Sequence, residues 1–180
     1  MLRYFTDTKP LLIAEAQVAP GAFEQLQRRA GLFRDALRAG RTPAPLVLSA
    51  DEVNTLIAND PELKALKGRV YIISFLERNR VSAQISLPVE ELGLSRLRGR
   101  FFNGAAMFSM SLKNGILYLY AENLAVKGRP LPGLYMKLLR GRNLATRANE
   151  DARISVGLNQ LQKIEINDGK LIVVPKNISN

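Results

Sequence analysis

The amino-acid sequence predicts an α+β domain in which an antiparallel, meander-like sheet of about five to six strands carries amphipathic helices on one face. Three observations predict this fold. First, two stretches in the first third of the chain have the apolar spacing of helices. Second, apolar runs of strand length follow one another further along the chain. Third, two of the junctions between such runs are Asn-Gly or Asp-Gly. A chain of 180 residues, 47% of them hydrophobic, is long enough for one core.

The chain begins with a predicted helical or extended arm, residues 1–20, and the α+β domain is expected to span residues 21–180. Pro10 and Pro20 disfavour helix directly before them. A first helix is predicted from Gly21 to Gly40, because apolar residues recur there in steps of three and four. These residues are Phe23, Leu26, Ala30, Phe33 and Leu37.

A second helix has a well-defined predicted start. Ser49 is the expected N-cap and Glu52 its capping-box partner, while Leu48 and Val53 form the expected hydrophobic staple. The segment Asn59-Asp60-Pro61 ends this helix, because proline disfavours helix in the residue before it. Asn54, like Asn143 and Asn149 further on, is interpreted as a residue of a helix surface or cap.

Strands follow the second helix. Val70 to Leu76 and Val81 to Leu87 are separated by a turn at Arg78-Asn79-Arg80, and a C-terminal hairpin turns at Asp168-Gly169. The central hairpin is predicted over Phe101 to Val126, because Asn114-Gly115 suits the two positive φ angles of a type I′ turn. One face of this hairpin is expected to carry Ala106, Phe108, Met110 and Leu112, with Leu117, Leu119 and Ala121 as candidate partners. The other face carries Met107, Ser109, Ser111, Tyr118 and Tyr120.

Whether the chain itself covers the tyrosine side of this hairpin decides whether these residues belong to the core or to a binding site. The strand from Ile116 to Ala121 is apolar or aromatic on both faces, which is typical of a sheet covered on both sides. The first helix or the arm residues Leu11 to Ala14 would supply an internal cover. An open face would instead bind an apolar, lipid-like ligand or a protein partner. The candidate binding residues are Tyr118, Tyr120 and Met107.

The sequence offers little for catalysis. It contains no Cys and no His, which removes disulfides, thiol chemistry, the commonest general base and the commonest metal ligand. We expect no catalytic residues, no metal and no cofactor, since no phosphate-binding or hydrolase signature is present. One minor hypothesis is a carboxylate-dependent hydrolase that would bring Glu90 or Glu91 together with Glu122.

The formal net charge of +10 favours attraction to polyanions. The alternative function is therefore a basic module for nucleic acid or for an anionic lipid or polymer. Its candidate anion-binding residues are Arg96, Arg98, Arg100, Arg140 and Arg142. A recognition-helix pattern or a ladder of stacking aromatic residues does not accompany these arginines, so nucleic acid is the less favoured polyanion.

Several stretches resemble those of a group of bacterial proteins. They are LVLSADEVNTLIANDPELKALKGRVY, VSAQISLPVEELGL, RFFNGAAMFSMSLKNGILYL, LAVKGRPLP, LLRGRNLA and KIEINDGKLIVVPK, which together cover residues 46–176. The chain is similar here to membrane-anchored envelope proteins of unknown function with a soluble α+β domain. The resemblance implies the α+β fold and a setting at the extracytoplasmic face of a bacterial membrane. The strand that is apolar or aromatic on both faces and the lack of catalytic signatures favour a non-enzymatic binding or interaction domain of the bacterial cell envelope. The anchor of that group is not found, and Met1-Leu2-Arg3 is interpreted as a boundary beside a transmembrane segment.

Overall fold

The computed structural model describes residues 2–92 and 97–177. A short 3₁₀ helix, Leu2–Phe5, precedes the first α-helix, and a second one spans Pro61–Leu63. The α-helices are α1 (Ala22–Arg38), α2 (Ala50–Asn59), α3 (Gly133–Arg140), α4 (Thr146–Glu150) and α5 (Ala152–Asn159). The strands are β1 (Leu46–Leu48), β2 (Val70–Leu76), β3 (Arg80–Pro88), β4 (Phe101–Lys113), β5 (Ile116–Val126), β6 (Arg129–Pro130), β7 (Leu161–Asn167) and β8 (Lys170–Pro175).

The α+β class and the antiparallel sheet are confirmed. Five strands form the main sheet in the order β2-β3-β4-β5-β6, a meander in which each strand pairs with its neighbour in the chain. The C-terminal hairpin does not join it, but pairs with β1 to form a second sheet in the order β1-β8-β7. Positive φ angles occur as consecutive pairs at four hairpin turns, as type I′ turns require. These pairs are Arg78-Asn79, Asn114-Gly115, Lys127-Gly128 and Asp168-Gly169.

The largest core lies on one face of the main sheet. Ile85, Leu124 and Val126 have no solvent-accessible surface, and α3 packs over them through Met136 and Leu139. The second sheet packs on the same face near the turn of the central hairpin, where Leu112 of β4 meets Leu161 of β7. The buried stripe of α1 contacts this second sheet and α2, so helices and second sheet lie together.

The N-terminal arm is part of the domain rather than an appendage. Phe5 is buried in the main core, and Asp7 makes an antiparallel bridge with Phe101 through hydrogen bonds of 2.9 and 2.8 Å. The Leu11 N–H donates to the Asn103 side-chain oxygen at 3.1 Å. The arm then continues toward β2, where the N–H of residue 13 donates to the carbonyl of residue 68 at 3.3 Å. Residues 5–13 therefore cross one end of the main sheet.

Asn54, Asn143 and Asn149 each bind the backbone of a strand through both the oxygen and the nitrogen of the side-chain amide. Asn54 of α2 is buried and pairs with both backbone groups of Ile72. Asn143 and Asn149 pair with β5, where the Leu117 N–H donates to Asn149 Oδ1 at 2.9 Å. Each amide takes the place of one peptide group of a neighbouring strand. The hydrogen-bonding groups at the strand edge therefore have partners without another strand. The interpretation of Asn54 as a helix-surface residue is wrong, because its side chain is buried. For Asn143 and Asn149, the interpretation as helix-surface or cap residues leaves out their bonds to β5.

No helix among residues 2–92 and 97–177 combines the length and the apolar character needed to cross a membrane.

The capping box that starts α2 is confirmed, and it predicts an acid-dependent loss of stability. The Glu52 N–H donates to Ser49 Oγ at 3.1 Å, the Ser49 N–H donates to Glu52 Oε2 at 2.8 Å, and Arg29 pairs with Glu52 at 2.7 Å. Burial by itself raises the pKa of Glu52, but these hydrogen bonds and the Arg29 charge outweigh it, so the pKa is lowered. The carboxylate therefore stabilises the fold above its unfolded-state pKa, and this contribution is lost as the pH falls through the folded-state pKa.

Glu52→Gln is expected to be less stable than the wild type at neutral pH, and the difference should shrink between about pH 6 and pH 3. Urea denaturation at both pH values measures the two free energies of unfolding. Asp51→Asn removes the neighbouring exposed carboxylate of the same helix turn and serves as the matched control. A Glu52→Gln difference that is the same at both pH values would contradict the role assigned to this carboxylate.

Candidate functional site

The face of the main sheet opposite the core carries the predicted tyrosine group. Strand register places Ser109 between Arg80 and Tyr120, and it places Ser111 opposite Tyr118. The same register puts Met107 between Ser82 of β3 and Asn123 of β5. We call this surface the open sheet face, defined by Arg80, Ser82, Gln84, Met107, Ser109, Ser111, Tyr118 and Tyr120. The sequence-based grouping of Met107 with the two tyrosines is confirmed.

The two tyrosines form a stacked pair. Tyr118 and Tyr120 lie two residues apart on β5, and their ring centroids are 6.1 Å apart with an interplanar angle of 20°. Both side chains are partly exposed. Across the sheet, the Arg80 guanidinium lies 3.9 Å from the Met107 sulfur. The face therefore combines aromatic rings, a polarisable thioether and one fixed cation in neighbouring strand positions.

The first helix does not cover the tyrosines. The buried residues of α1 pack against the second sheet and α2, on the core side of the main sheet, so the expectation of α1 as a cover is wrong. The arm does reach this face, but at its other end, where the Leu11 N–H donates to the hydroxyl of Ser86 at 3.0 Å. Between arm and tyrosines, Gln84, Ala105 and Asn123 are exposed. Among the described residues the tyrosine end of the face is open.

The residues that define the open sheet face include no Asp or Glu. The serines beside the tyrosines are small, so the two rings project beyond them. Two concave regions of the described surface lie elsewhere. One adjoins Ile57 and Tyr71, and the other lies between the turns at Arg78 and Asp168. The arrangement around the tyrosines suits contact with a broad surface more than enclosure of a lipid chain.

The predicted anion-binding arginines of the loop before β4 have different positions. Arg96 lies outside the described residues. Arg98 is exposed. The Arg100 guanidinium donates to the hydroxyl oxygen of Thr6 at 2.6 Å and to the carbonyl oxygen of the same residue, which fastens the arm to the start of β4. Arg100 is thus a structural residue of the arm contact.

The other two predicted arginines lie at the end of α3. Arg140 is exposed and makes one long hydrogen bond, 3.3 Å, to the carbonyl oxygen of Glu122. Arg142 is also exposed. These two side chains keep their charge at the surface, where an anion has access to it.

The acids of the predicted carboxylate pair lie in different elements, with Glu90 and Glu91 after β3 and Glu122 in β5. Glu91 is held by two cations, with Arg69 at 2.8 Å and Arg147 at 3.9 Å, so its charge is already compensated. Glu90 is exposed. Within residues 2–92 and 97–177 no group of three acidic, histidine or cysteine side chains is placed to hold a metal ion.

Sequence reasoning missed Arg80 as a site residue because the turn was assigned to residues 78–80. The hairpin instead turns through Arg78 and Asn79, both with positive φ, and Arg80 is the first residue of β3. Residues two positions apart on a strand lie on the same face of the sheet. Because Ser82 and Gln84 share one face, Arg80, two residues before Ser82, is predicted to lie on it as well.

Comparison of the chain with protein-family models, with curated proteins and with solved structures found no match. The described residues form an α+β domain with two antiparallel sheets, and the larger sheet carries the open sheet face.

Proposed function

We propose that the chain is a non-enzymatic binding module whose open sheet face binds a protein partner. The observation that carries this proposal is the stacked, partly exposed pair of Tyr118 and Tyr120 on a sheet face that no helix within residues 2–92 and 97–177 covers. Exposed aromatic rings add little to the stability of a domain, whereas a partner that removes them from water gains affinity.

The composition of the face favours a protein partner over a lipid-like ligand. Tyrosine, methionine and arginine are enriched in protein interfaces, and tyrosine and arginine are the commonest hot-spot residues. Serines beside the tyrosines supply short hydrogen-bonding groups that cost little entropy on binding. The complementary partner surface would place apolar side chains over Tyr118 and Tyr120 and a carboxylate near Arg80.

The bacterial cell envelope is the proposed setting, and it rests on the resemblance of residues 46–176 alone. The proposed location is the extracytoplasmic face of a bacterial membrane. Fractionation of native cells, with the protein followed by antibody, tests this location. Recovery in the cytoplasmic fraction alone would refute the location without bearing on the sheet face.

The test of the sheet face compares captured proteins between matched variants. Tyr118→Ser/Tyr120→Ser and Arg80→Glu change the face, whereas Ile154→Ser/Val156→Ser changes two exposed apolar residues of α5. Thermal unfolding first shows that all four proteins are folded. A partner of the face should be captured from native cell extract by the wild type and the α5 variant. With that partner purified, we expect each face variant to raise the Kd at least about tenfold.

Three outcomes would overturn the proposal. In the first, every captured protein binds the face variants as well as the wild type. In the second, the tyrosine variants lose binding to phosphatidylcholine vesicles or to single-stranded oligonucleotides, which would assign the face to a lipid or a nucleic acid. In the third, the wild type self-associates and the face variants are monomers in analytical ultracentrifugation, which would make the face a contact between copies of the chain.

A further inference from the structure

The segment that contains α3 has an unusual charge composition. Residues 123–149 contain no Asp or Glu, although the chain has 16 of them in 180 residues. The same segment carries six cations: Lys127, Arg129, Lys137, Arg140, Arg142 and Arg147. The basic excess of the protein is therefore concentrated here in a stretch where most cations have no acidic neighbour in the sequence.

Helix α3 has apolar residues on two sides. Met136 and Leu139 are buried in the main core and fix the helix to the domain. Leu134 and Leu138 lie one helical turn apart on another side, and their exposed fractions are 71% and 57%. Two leucines at this spacing form an apolar strip that the described part of the chain does not cover.

Exposed cations lie beside this strip and at its C-terminal end. Lys137 shares the outer side of the helix with the two leucines, and Arg140 and Arg142 follow at its C-terminal end. Just before α3, the Arg129 guanidinium lies 5.6 Å from the ring centroid of Tyr4, a side chain that is 50% exposed. Apolar side chains among cations, with an exposed tyrosine close to one of them, are the residue types that favour the interface between water and lipid.

We propose that the outer side of α3 binds the surface of an anionic phospholipid bilayer. The α3 face, defined as Leu134, Lys137, Leu138, Arg140 and Arg142, inserts its leucines among the headgroups while its cations meet lipid phosphates. Charge complementarity selects this occupant, because the face has only cations and an anionic leaflet attracts cations within a Debye length. A nucleic acid would use the cations but would leave the two leucines without a role.

Another helix of the same chain shows that an exposed leucine alone is not sufficient. Leu32 of α1 is 66% exposed, but α1 carries both signs of charge. Arg38 lies 4.0 Å from Asp35 on that helix, and Arg34 lies 2.9 Å from Glu62. An anionic surface gains little from a face whose cations are already paired, so Leu32 provides a matched control for Leu134.

Vesicle sedimentation tests the proposal with the full chain. The wild type should bind vesicles of phosphatidylcholine mixed with phosphatidylglycerol, bind phosphatidylcholine alone much more weakly, and lose affinity as salt is added. Leu134→Ser should weaken binding to the mixed vesicles about tenfold, because a leucine no longer leaves water. Leu32→Ser should bind as the wild type does.

A pair of charge variants separates the α3 face from the net charge of the protein. Lys137→Glu/Arg142→Glu and Lys64→Glu/Lys170→Glu lower the net charge equally, and all four side chains are exposed. The first pair should weaken vesicle binding about twentyfold or more, at about fivefold for each lost cation. The second pair should have little effect.

Several results would overturn the proposal. They are absence of vesicle binding by the wild type, an equal loss in both pairs of charge variants, and a Leu134→Ser protein that changes from dimer to monomer while binding vesicles unchanged. Binding of single-stranded DNA that depends on Lys137 and Arg142 but not on Leu134, without vesicle binding, would assign the face to nucleic acid instead. Tyr118→Ser/Tyr120→Ser should bind vesicles as the wild type does, so this proposal stands or falls separately from the sheet face.

Discussion

Gly104→Ala is expected to lower the free energy of unfolding by about 3 kcal/mol or more, because it forces apart the two longest strands. A Cβ atom on Gly104 would lie 2.0 Å from the carbonyl oxygen of Ala125 and 3.3 Å from the Cα of Val126. Both neighbours are backbone atoms of β5, so no rotamer change relieves the overlap. Urea denaturation followed by far-UV circular dichroism measures the loss.

Gly31→Ala is the matched control for this substitution. Gly31 lies inside α1, and no atom outside its own helix backbone approaches the position of its missing Cβ within 4 Å. Alanine is the better helix former, so this variant should be more stable than the wild type by about 0.5–1 kcal/mol. A Gly104→Ala protein as stable as the wild type would refute the close approach of β4 and β5.

The features that the sequence predicted well are those fixed by neighbours in the chain. The turns at Asn114-Gly115 and Asp168-Gly169 follow from two residues that accept positive φ. The capping box of Ser49 and Glu52 follows from two residues three positions apart. Each of these signals lies within one turn of backbone, so no knowledge of the rest of the fold is needed to interpret it.

The division of the strands into two sheets has no such local signal. Strand β1 is only three residues long, Leu46–Leu48, and its pairing with β8 joins segments more than a hundred residues apart. An alternating or apolar pattern shows that a segment is a strand, but it does not specify the partner. The roles of Asn54, Asn143 and Asn149 were missed for the same reason, since each amide binds a strand that is distant in the sequence.

The candidate surfaces were predictable to different degrees. The alternation of side chains along a strand predicted that Met107, Tyr118 and Tyr120 share one face. This alternation is a property of each strand and can be recognised without knowledge of the rest of the fold. Whether that face is covered depends on where α1 packs, and an amphipathic stripe does not specify which sheet it meets. The apolar residues of α3 all suit a core by their type, and only the packing of Met136 and Leu139 shows that Leu134 is left outside.

Asn54→Ala is expected to cost about 3 kcal/mol of stability, because it removes a buried amide and leaves the N–H and the carbonyl of Ile72 without their partner. The Asn54 side chain is 2% exposed, its Nδ2 donates to the Ile72 carbonyl at 2.7 Å, and its Oδ1 accepts from the Ile72 N–H at 2.7 Å. Alanine supplies neither group, and a water molecule that takes the place of the buried amide loses entropy. Equilibrium unfolding in urea measures the difference.

Asn149→Ala is the matched control because it removes the same pair of hydrogen bonds at a more exposed place. Asn149 accepts from the Leu117 N–H at 2.9 Å and donates to the Leu117 carbonyl at 2.8 Å. That carbonyl also accepts from Asn143 at 2.9 Å, and Asn149 is partly exposed, so its loss should cost only about 1 kcal/mol. Equal losses in the two variants would show that burial of the Asn54 amide does not set the cost, and the role assigned to Asn54 would then be wrong.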